Sequence, residues 1–222
     1  AHSLGIRVML DAVFNHCGVR FGPWLDVLEK GPDSPFWDWF FVKQWPLPET
    51  KSNTEDGRFY SFAFVPQMPK LNTNNREVAE YFFRRCAHWV RDWQIDGIRF
   101  DVGNEVSHQF LKRLHGGLKA INPEIFLLGE IWHDSAQWLQ GDEYDSVMNY
   151  PFLESLHNFY LDGQSSRELM YAMNRIYTMY PRQVGDVLFH FLDTHDTMRA
   201  LTRCGSKDIF YQQLVFLLTM PG

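Results

Sequence analysis

The chain has 222 residues, 45% hydrophobic and 22% charged, with a formal net charge of −6. That balance is globular and excludes a disordered, collagenous or disulfide-scaffold protein. With no run of Lys or Arg there is no basic footprint for a phosphate backbone, so nucleic acid is not an expected partner. Nor does any apolar stretch reach the ~18 residues of a membrane span. Cys17, Cys86 and Cys204 are odd in number, far apart and never paired as CxxC, which reads as buried free thiols. Aromatic residues, at 16%, imply either a dense core or a site that stacks on flat ligands. The opening AHSLGIRVMLD has no initiator Met and the closing run is QLVFLLTMPG. Both ends read as cuts from a longer chain, so the lack of a targeting segment carries no information about location.

In chain order, the first element is an apolar run over 6–13, suited to a buried parallel strand. Nearly 60 residues follow, to about position 72, without a helix–strand rhythm and crowded with Pro, Gly and aromatics (PFWDWFFVKQWPLP). A connection that long is expected to be a functional excursion or an inserted subdomain. Apolar positions 78, 82, 86, 89, 90 and 93 predict one face of a helix over 75–93, with Asn74 and Glu77 resembling a capping box. A strand is expected over 95–102, a helix over 106–120 and strands over 125–132 and 146–150. A helix over 168–180, a strand over 186–192 and a last helix over 209–219 complete the series. Strands alternating with helices imply an α/β fold with parallel strands and right-handed crossovers.

Four short segments place acid, base and hydrogen-bonding groups at the ends of these strands. The first runs from Asp11 through Asn15 and His16. In the second, Arg99 and Asp101 point the same way because strand side chains alternate. A guanidinium beside Asp101 would keep it ionised, as a nucleophile requires. The third is Glu130, a lone carboxyl among Phe, Leu, Ile and Trp, surroundings that raise a carboxyl pKa as a general acid needs. The fourth holds Asp193, His195 and Asp196. Taken alone, an Asp at a strand end is more often a helix cap or a surface charge, and a lone His more often a structural group. Four in order, each closing a different strand, point to acid–base and nucleophilic chemistry on a glycosidic bond. No HxxxH, HExxH or CxxC spacing supports a metal centre.

The segments DAVFNH, GIRFDVGNE, GEIW and FLDTHD resemble the four signature regions of the α-amylase family of glycoside hydrolases (family 13), in order and over nearly the whole chain. MPKLN, at 68–72, resembles the marker of the neopullulanase, cyclomaltodextrinase and maltogenic amylase subgroup. DVGNEV resembles the same subgroup, where Ala is usual at Gly103. The resemblance implies a partial (β/α)8 barrel holding about strands three to seven. Residues 1–13 and 73–222 would be barrel and 14–72 an inserted subdomain; the flanking strands and the N- and C-terminal domains would lie outside this chain.

By the same resemblance Asp101 would be the nucleophile and Glu130 the acid–base, their carboxyls ~5–5.5 Å apart as a retaining mechanism requires. Asp196 would hold the ring hydroxyls of the reacting sugar. Arg99 would orient Asp101, His16 and His195 would bond the same sugar, and Asp11 would support Arg99. Asn104, Glu105, Trp132 and Tyr150 are expected on the acceptor side. Asn15 matches a position that helps bind calcium in many α-amylases, but the subgroup often lacks that dependence and no cofactor is expected to be required. The implied substrate is an α-glucan oligosaccharide or cyclodextrin. The parent is implied to be a cytoplasmic homodimer, paired through a domain outside this chain. Two alternatives stay open: an α-glucosidase or oligo-1,6-glucosidase, in which a QPDLN-like segment would replace MPKLN, and a non-catalytic amylase-like binding module, which would have lost the carboxylates.

Overall fold

The computed structural model describes residues 1–47 and 57–222; the stretch of the expected insert over 48–56 lies outside the described residues. The chain divides into two compact units, Ala1–Ile125 and Phe126–Gly222.

In the first unit, strand β1 (Met9–Val13) pairs in parallel with β2 (Gly97–Asp101), setting Asp11 opposite Arg99 and Val13 opposite Asp101. The expected strand over 6–13 loses its first residues because the apolar run extends beyond the paired stretch, and Ile6 is 55% exposed. Helix α1 (Gly22–Lys30) starts with Pro23 in its first turn and buries Trp24 and Val27. Helix α2 (Arg76–Asp92) buries Val78, Phe82, Cys86 and Val90 along one face. Its cap is Asn75, whose Oδ1 accepts from the backbone N–H of Glu77 at 2.8 Å. Asn74, one residue too early for that geometry, instead accepts from Ser107 Oγ at 2.6 Å. Helix α3 (His108–Ile121) turns Phe110, Leu111, Leu114 and Leu118 inward. Phe14 joins these elements, with its ring centroid 4.5 Å from Phe82, 5.9 Å from Phe100 and 5.8 Å from Phe110.

The long connection carries isolated antiparallel bridges, His16 with Lys70, Phe40 with Leu71, Val42 with Phe59 and Ser61 with Pro69. Trp24 packs against Phe40 and Phe59 at their centre, at 4.9 and 5.3 Å.

In the second unit, β3 (Phe126–Gly129) pairs in parallel with β4 (Ser146–Val147), Gly129 opposite Val147. The strand expected over 146–150 ends early because Asn149 caps helix α4 (Tyr150–Tyr160), its Oδ1 accepting from Phe152 N at 3.2 Å. Pro151, in the first turn, is preset for a helix start. The strand expected over 186–192 is reduced to one parallel bridge, Met148 with Phe189. Helix α5 (Ser166–Met179) opens with a capping box between Ser165 and Glu168. Helices α6 (Arg182–Gly185), α7 (Ala200–Cys204) and α8 (Lys207–Thr219) follow. Leu128, Met148, Tyr150, Leu153 and Phe191 form a buried cluster.

Parallel strands alternating with helices make the fold α/β. All three cysteines are free, and burial pushes the Cys17 and Cys86 thiols up to about 12, leaving them protonated and unreactive. Among the described residues, no helix is long and apolar enough to cross a membrane.

Candidate active site

In the first unit the polar groups cluster where β1 and β2 end. Register alone places Asp11 beside Arg99, and alternation turns Arg99 and Asp101 to the same face. Arg99 Nη1 donates to Asp11 Oδ1 at 2.6 Å and to Asp101 Oδ1 at 3.1 Å, so one guanidinium grips both carboxylates. The Arg99 side chain is only 12% exposed and that of Asp101 20%, so water screens the pair little. A fixed guanidinium favours the carboxylate anion and holds its orientation.

The next residue carries strain. Val102 has φ 49, a left-handed conformation that is a genuine outlier for a β-branched side chain. Its carbonyl accepts from Glu105 N at 3.1 Å, closing a turn that presents Asn104 and Glu105 directly after Asp101. Strain of this kind persists where the surroundings over-determine the backbone.

Asn15 and His16 follow β1 and are held by the residues of the MPKLN segment. Leu71 N donates to Asn15 O and Cys17 N to Pro69 O, each at 3.0 Å. The His16 ring lies parallel to Phe62 at 4.8 Å. Burial, reinforced by the Lys70 charge and opposed by Glu105, lowers the His16 pKa, so the ring is neutral at neutral pH. Lys70 Nζ hydrogen-bonds Asn15 Oδ1 and Glu105 Oε2, the latter at 2.8 Å. Two hydrogen-bonded groups thus lie in this unit, Asp11 and Asp101 on Arg99, and Asn15 and Glu105 on Lys70 with His16 beside Asn15; Asn104 sits in the turn between Asp101 and Glu105.

In the second unit Glu130 directly follows β3 and is 4% exposed. Its Oε1 accepts from Trp132 Nε1 at 3.1 Å and from the Tyr150 hydroxyl at 3.3 Å. Those two rings stack with centroids 4.0 Å apart, and Trp132 remains 51% exposed. Glu130 is thus a buried carboxyl that accepts from two neutral donors, of which the Trp132 indole reaches solvent. Gly129 makes this placement possible, since a Cβ there would fall 2.6 Å from the Tyr144 ring. His195 and Asp196 pair at 3.2 Å in an exposed turn. Its base is fixed by Thr194, whose Oγ1 accepts from Asp196 N at 3.2 Å, and by Asp193, whose Oδ2 accepts from Ala200 N at 2.6 Å.

Sequence reasoning passed over two participants. Lys70 was visible only as a letter of the MPKLN segment, and its partners are 55 and 35 residues away. The Gly129–Tyr144 contact is likewise non-local, though a Gly immediately before a buried Glu was its signal. Among the described residues no group of three or more His, Cys, Asp or Glu side chains could hold a metal ion.

The profile of the alpha-amylase family, described as the alpha amylase catalytic domain, matches residues 1–222. The chain belongs to this family. It is 45% identical over 224 residues to a cyclomaltodextrinase from Geobacillus thermopakistaniensis, covering 100% of this chain and 37% of that protein. It is 44% identical over 225 residues to neopullulanase 2 from Thermoactinomyces vulgaris, covering 100% of this chain and 38% of that one. A solved cyclomaltodextrinase structure superposes with a TM-score of 0.94 at 43% identity, covering 100% of this chain and 38% of the other. The chain thus spans under two fifths of the length of these α-amylase family relatives.

Proposed function

We propose that the protein carrying this chain is a retaining α-glucan hydrolase of the cyclomaltodextrinase and neopullulanase type. It would cleave α-1,4 and some α-1,6 glucosidic bonds in cyclodextrins, pullulan, starch or maltooligosaccharides, and transfer glucosyl groups to sugar acceptors. Residues 1–13 and 73–222 would be part of its (β/α)8 barrel and 14–72 an inserted subdomain. The observation that carries the reading is the grip of Arg99 on Asp101 at the end of β2. It supplies an oriented anion on a strand end, where barrel enzymes of this architecture keep their chemistry.

In the first step Asp101 attacks the anomeric carbon while Glu130 donates its proton to the glycosidic oxygen. The C1–O bond breaks, the leaving sugar departs with that proton, and a glycosyl ester remains on Asp101. In the second step Glu130, now a carboxylate, takes a proton from water or a sugar hydroxyl, whose oxygen attacks C1 and releases Asp101. Asp196, His195 and His16 would hold the reacting sugar, and Trp132, backed by the Tyr150 ring, would give a stacking face on the acceptor side. The 68–72 segment and the sequence relatives support this subgroup over an α-glucosidase. A cytoplasmic location and a homodimer belong to the same proposal, by likeness to that subgroup.

The test is reducing-sugar release from β-cyclodextrin against starch, by the native protein and by Asp101→Asn. Cleavage of both substrates, abolished by the substitution while oligosaccharide binding stays within a few fold, is the expected outcome. More than a few per cent of native activity in Asp101→Asn would remove Asp101 from the nucleophile's role.

A further inference from the structure

Within the first unit, a cavity of about 460 Å³ opens between residues 70–74 and the loop that follows Asp101, lined by Phe41, Lys70, Asn74, Asn104, Glu105 and His108 among others. Its volume falls in the ~300–1,000 Å³ range of small-ligand sites. Its lining mixes apolar faces with amide, carboxylate and imidazole groups, the mixture that recognises a sugar ring and its hydroxyls. The side chain of Asn104 hydrogen-bonds none of the described residues, so its amide is available to a ligand.

At one edge stands Lys70. An ammonium has three donors and no acceptor, and here each donor has an oxygen: Asn15 Oδ1, Glu105 Oε2 at 2.8 Å and the Glu105 carbonyl at 3.4 Å. Asn15 is 1% exposed, just after β1, whereas the Glu105 side chain is 41% exposed. The cation therefore ties a mobile type of side chain to a fixed one, and it grips the main chain of Glu105 as well as its carboxylate. Glu105 has rotamer freedom to lose, and Lys70 removes it before any sugar arrives.

We propose that Lys70 is a positioning residue, a tethered cation that fixes Glu105 at the edge of this cavity and so favours transfer of the glycosyl group to a sugar over its transfer to water. The inference rests on the retaining reading above. In the step concerned, the acceptor hydroxyl oxygen bonds to C1 of the glycosyl ester. The C1–O bond to Asp101 breaks with its electron pair returning to that carboxylate, and the hydroxyl proton passes to Glu130. Water follows the same course in hydrolysis, so the ratio of the two outcomes depends on how well the acceptor is held.

The experiment measures the ratio of transfer products to hydrolysis products from maltotriose, with added maltose as acceptor, in the full protein. Lys70→Met keeps the aliphatic stem and removes the charge; Glu105→Gln removes its partner's charge. Each is expected to lower the ratio by roughly 3- to 10-fold, a modest range because the ion pair is partly exposed. Each should also raise the apparent KM for maltose as acceptor more than that for the donor. The double variant should fall no lower than Glu105→Gln alone, because Lys70 acts through Glu105. Lys70→Arg, which retains a cation, should recover part of the ratio. A native ratio in Lys70→Met, or losses that multiply in the double variant, would overturn the proposal. Should Lys70→Met fail to fold, a native ratio in Glu105→Gln overturns it equally. Failure of the underlying reading is distinguishable, because the native protein would then release no reducing sugar; that result overturns both.

Discussion

Replacing Gly129 with Ala should damage catalysis through one methyl group. The added Cβ would lie 2.6 Å from Tyr144 Cδ2 and Cε2 and 3.1 Å from Cγ, against ordinary contacts of ~3.5–4.0 Å. Neither side can yield cheaply. Tyr144 is 2% exposed, so its ring is packed around its edge. Gly129 is pinned by its pairing opposite Val147 and by its carbonyl, which accepts from Met148 N at 2.9 Å. Overpacking of this kind costs about 1–3 kcal/mol, reduced by the ~0.4–1 kcal/mol that Ala returns by restricting the unfolded chain. The net loss, up to about 2.6 kcal/mol, lowers the Tm of a domain of this size by up to roughly 10 °C. Turnover should suffer more than stability. The strand relieves the clash by shifting the residue next to Glu130, the proposed acid–base, and a ~1 Å misplacement of a group in that role costs about 10²-fold. Thermal unfolding and initial rates on maltooligosaccharides, measured together in the protein carrying this chain, decide the matter. A Gly129→Ala protein with native Tm and native kcat would refute the packing argument.

The adjacent glycines of α3 should respond in opposite directions. Gly116 has nothing within 4 Å of its notional Cβ, so Gly116→Ala is expected to stabilise by about 0.5–1 kcal/mol, whereas Gly117→Ala meets the Phe83 ring at 2.3 Å and should destabilise; denaturant midpoints compare them. Val102→Gly should release the left-handed strain yet leave stability within about 1 kcal/mol, because Gly adds a similar entropic cost. Turnover should fall as the Asp101 turn loosens, and a kcat at or above the native value would show that the strain serves no positioning role. Burial, with the Arg203 charge adding to it, pushes the His157 pKa down to about 4, and Nε2 has no hydrogen-bond partner among the described residues. The unfolded chain takes up this proton near 6.5 and the folded chain only near 4. Stability from this group is therefore complete above pH ~6.5 and is lost as pH falls toward 4. A His157→Gln protein should show a flatter Tm-against-pH curve in that window, and an unchanged slope would remove His157 as its cause.

Legibility in the sequence followed the range of the interactions. β1, β2 and β3 were legible because buried parallel strands read as apolar runs, and the groups that close them follow at once. Two missed helices had local signals outweighed by their neighbours. The Gly22–Pro23 start of α1 lay in a stretch read as irregular, and Asn149 with Pro151 marked the start of α4 inside a run read as a strand. An apolar run of four or five residues does not distinguish a strand from the first turn of a buried helix. The strand expected at 186–192 shows the converse: its apolar character serves packing, with Phe191 in the buried cluster, more than pairing.

Each unit holds its candidate carboxyl by a different physical device, and the difference matches the chemistry proposed. Asp101 is oriented by a charge, through Arg99, and by a strained turn at Val102 that fixes the main chain beneath it. Charge orientation stabilises the anion, and an anion is what attacks C1 and leaves it again. Glu130 is oriented by Trp132 Nε1–H and the Tyr150 hydroxyl, which are neutral. Neutral donors locate an oxygen without holding the group permanently ionised, and a group that must give up a proton in one step and take it back in the next requires that freedom. A guanidinium on Asp101 and an indole with a phenol hydroxyl on Glu130 suit the unequal tasks that the proposed double displacement gives these two carboxyls.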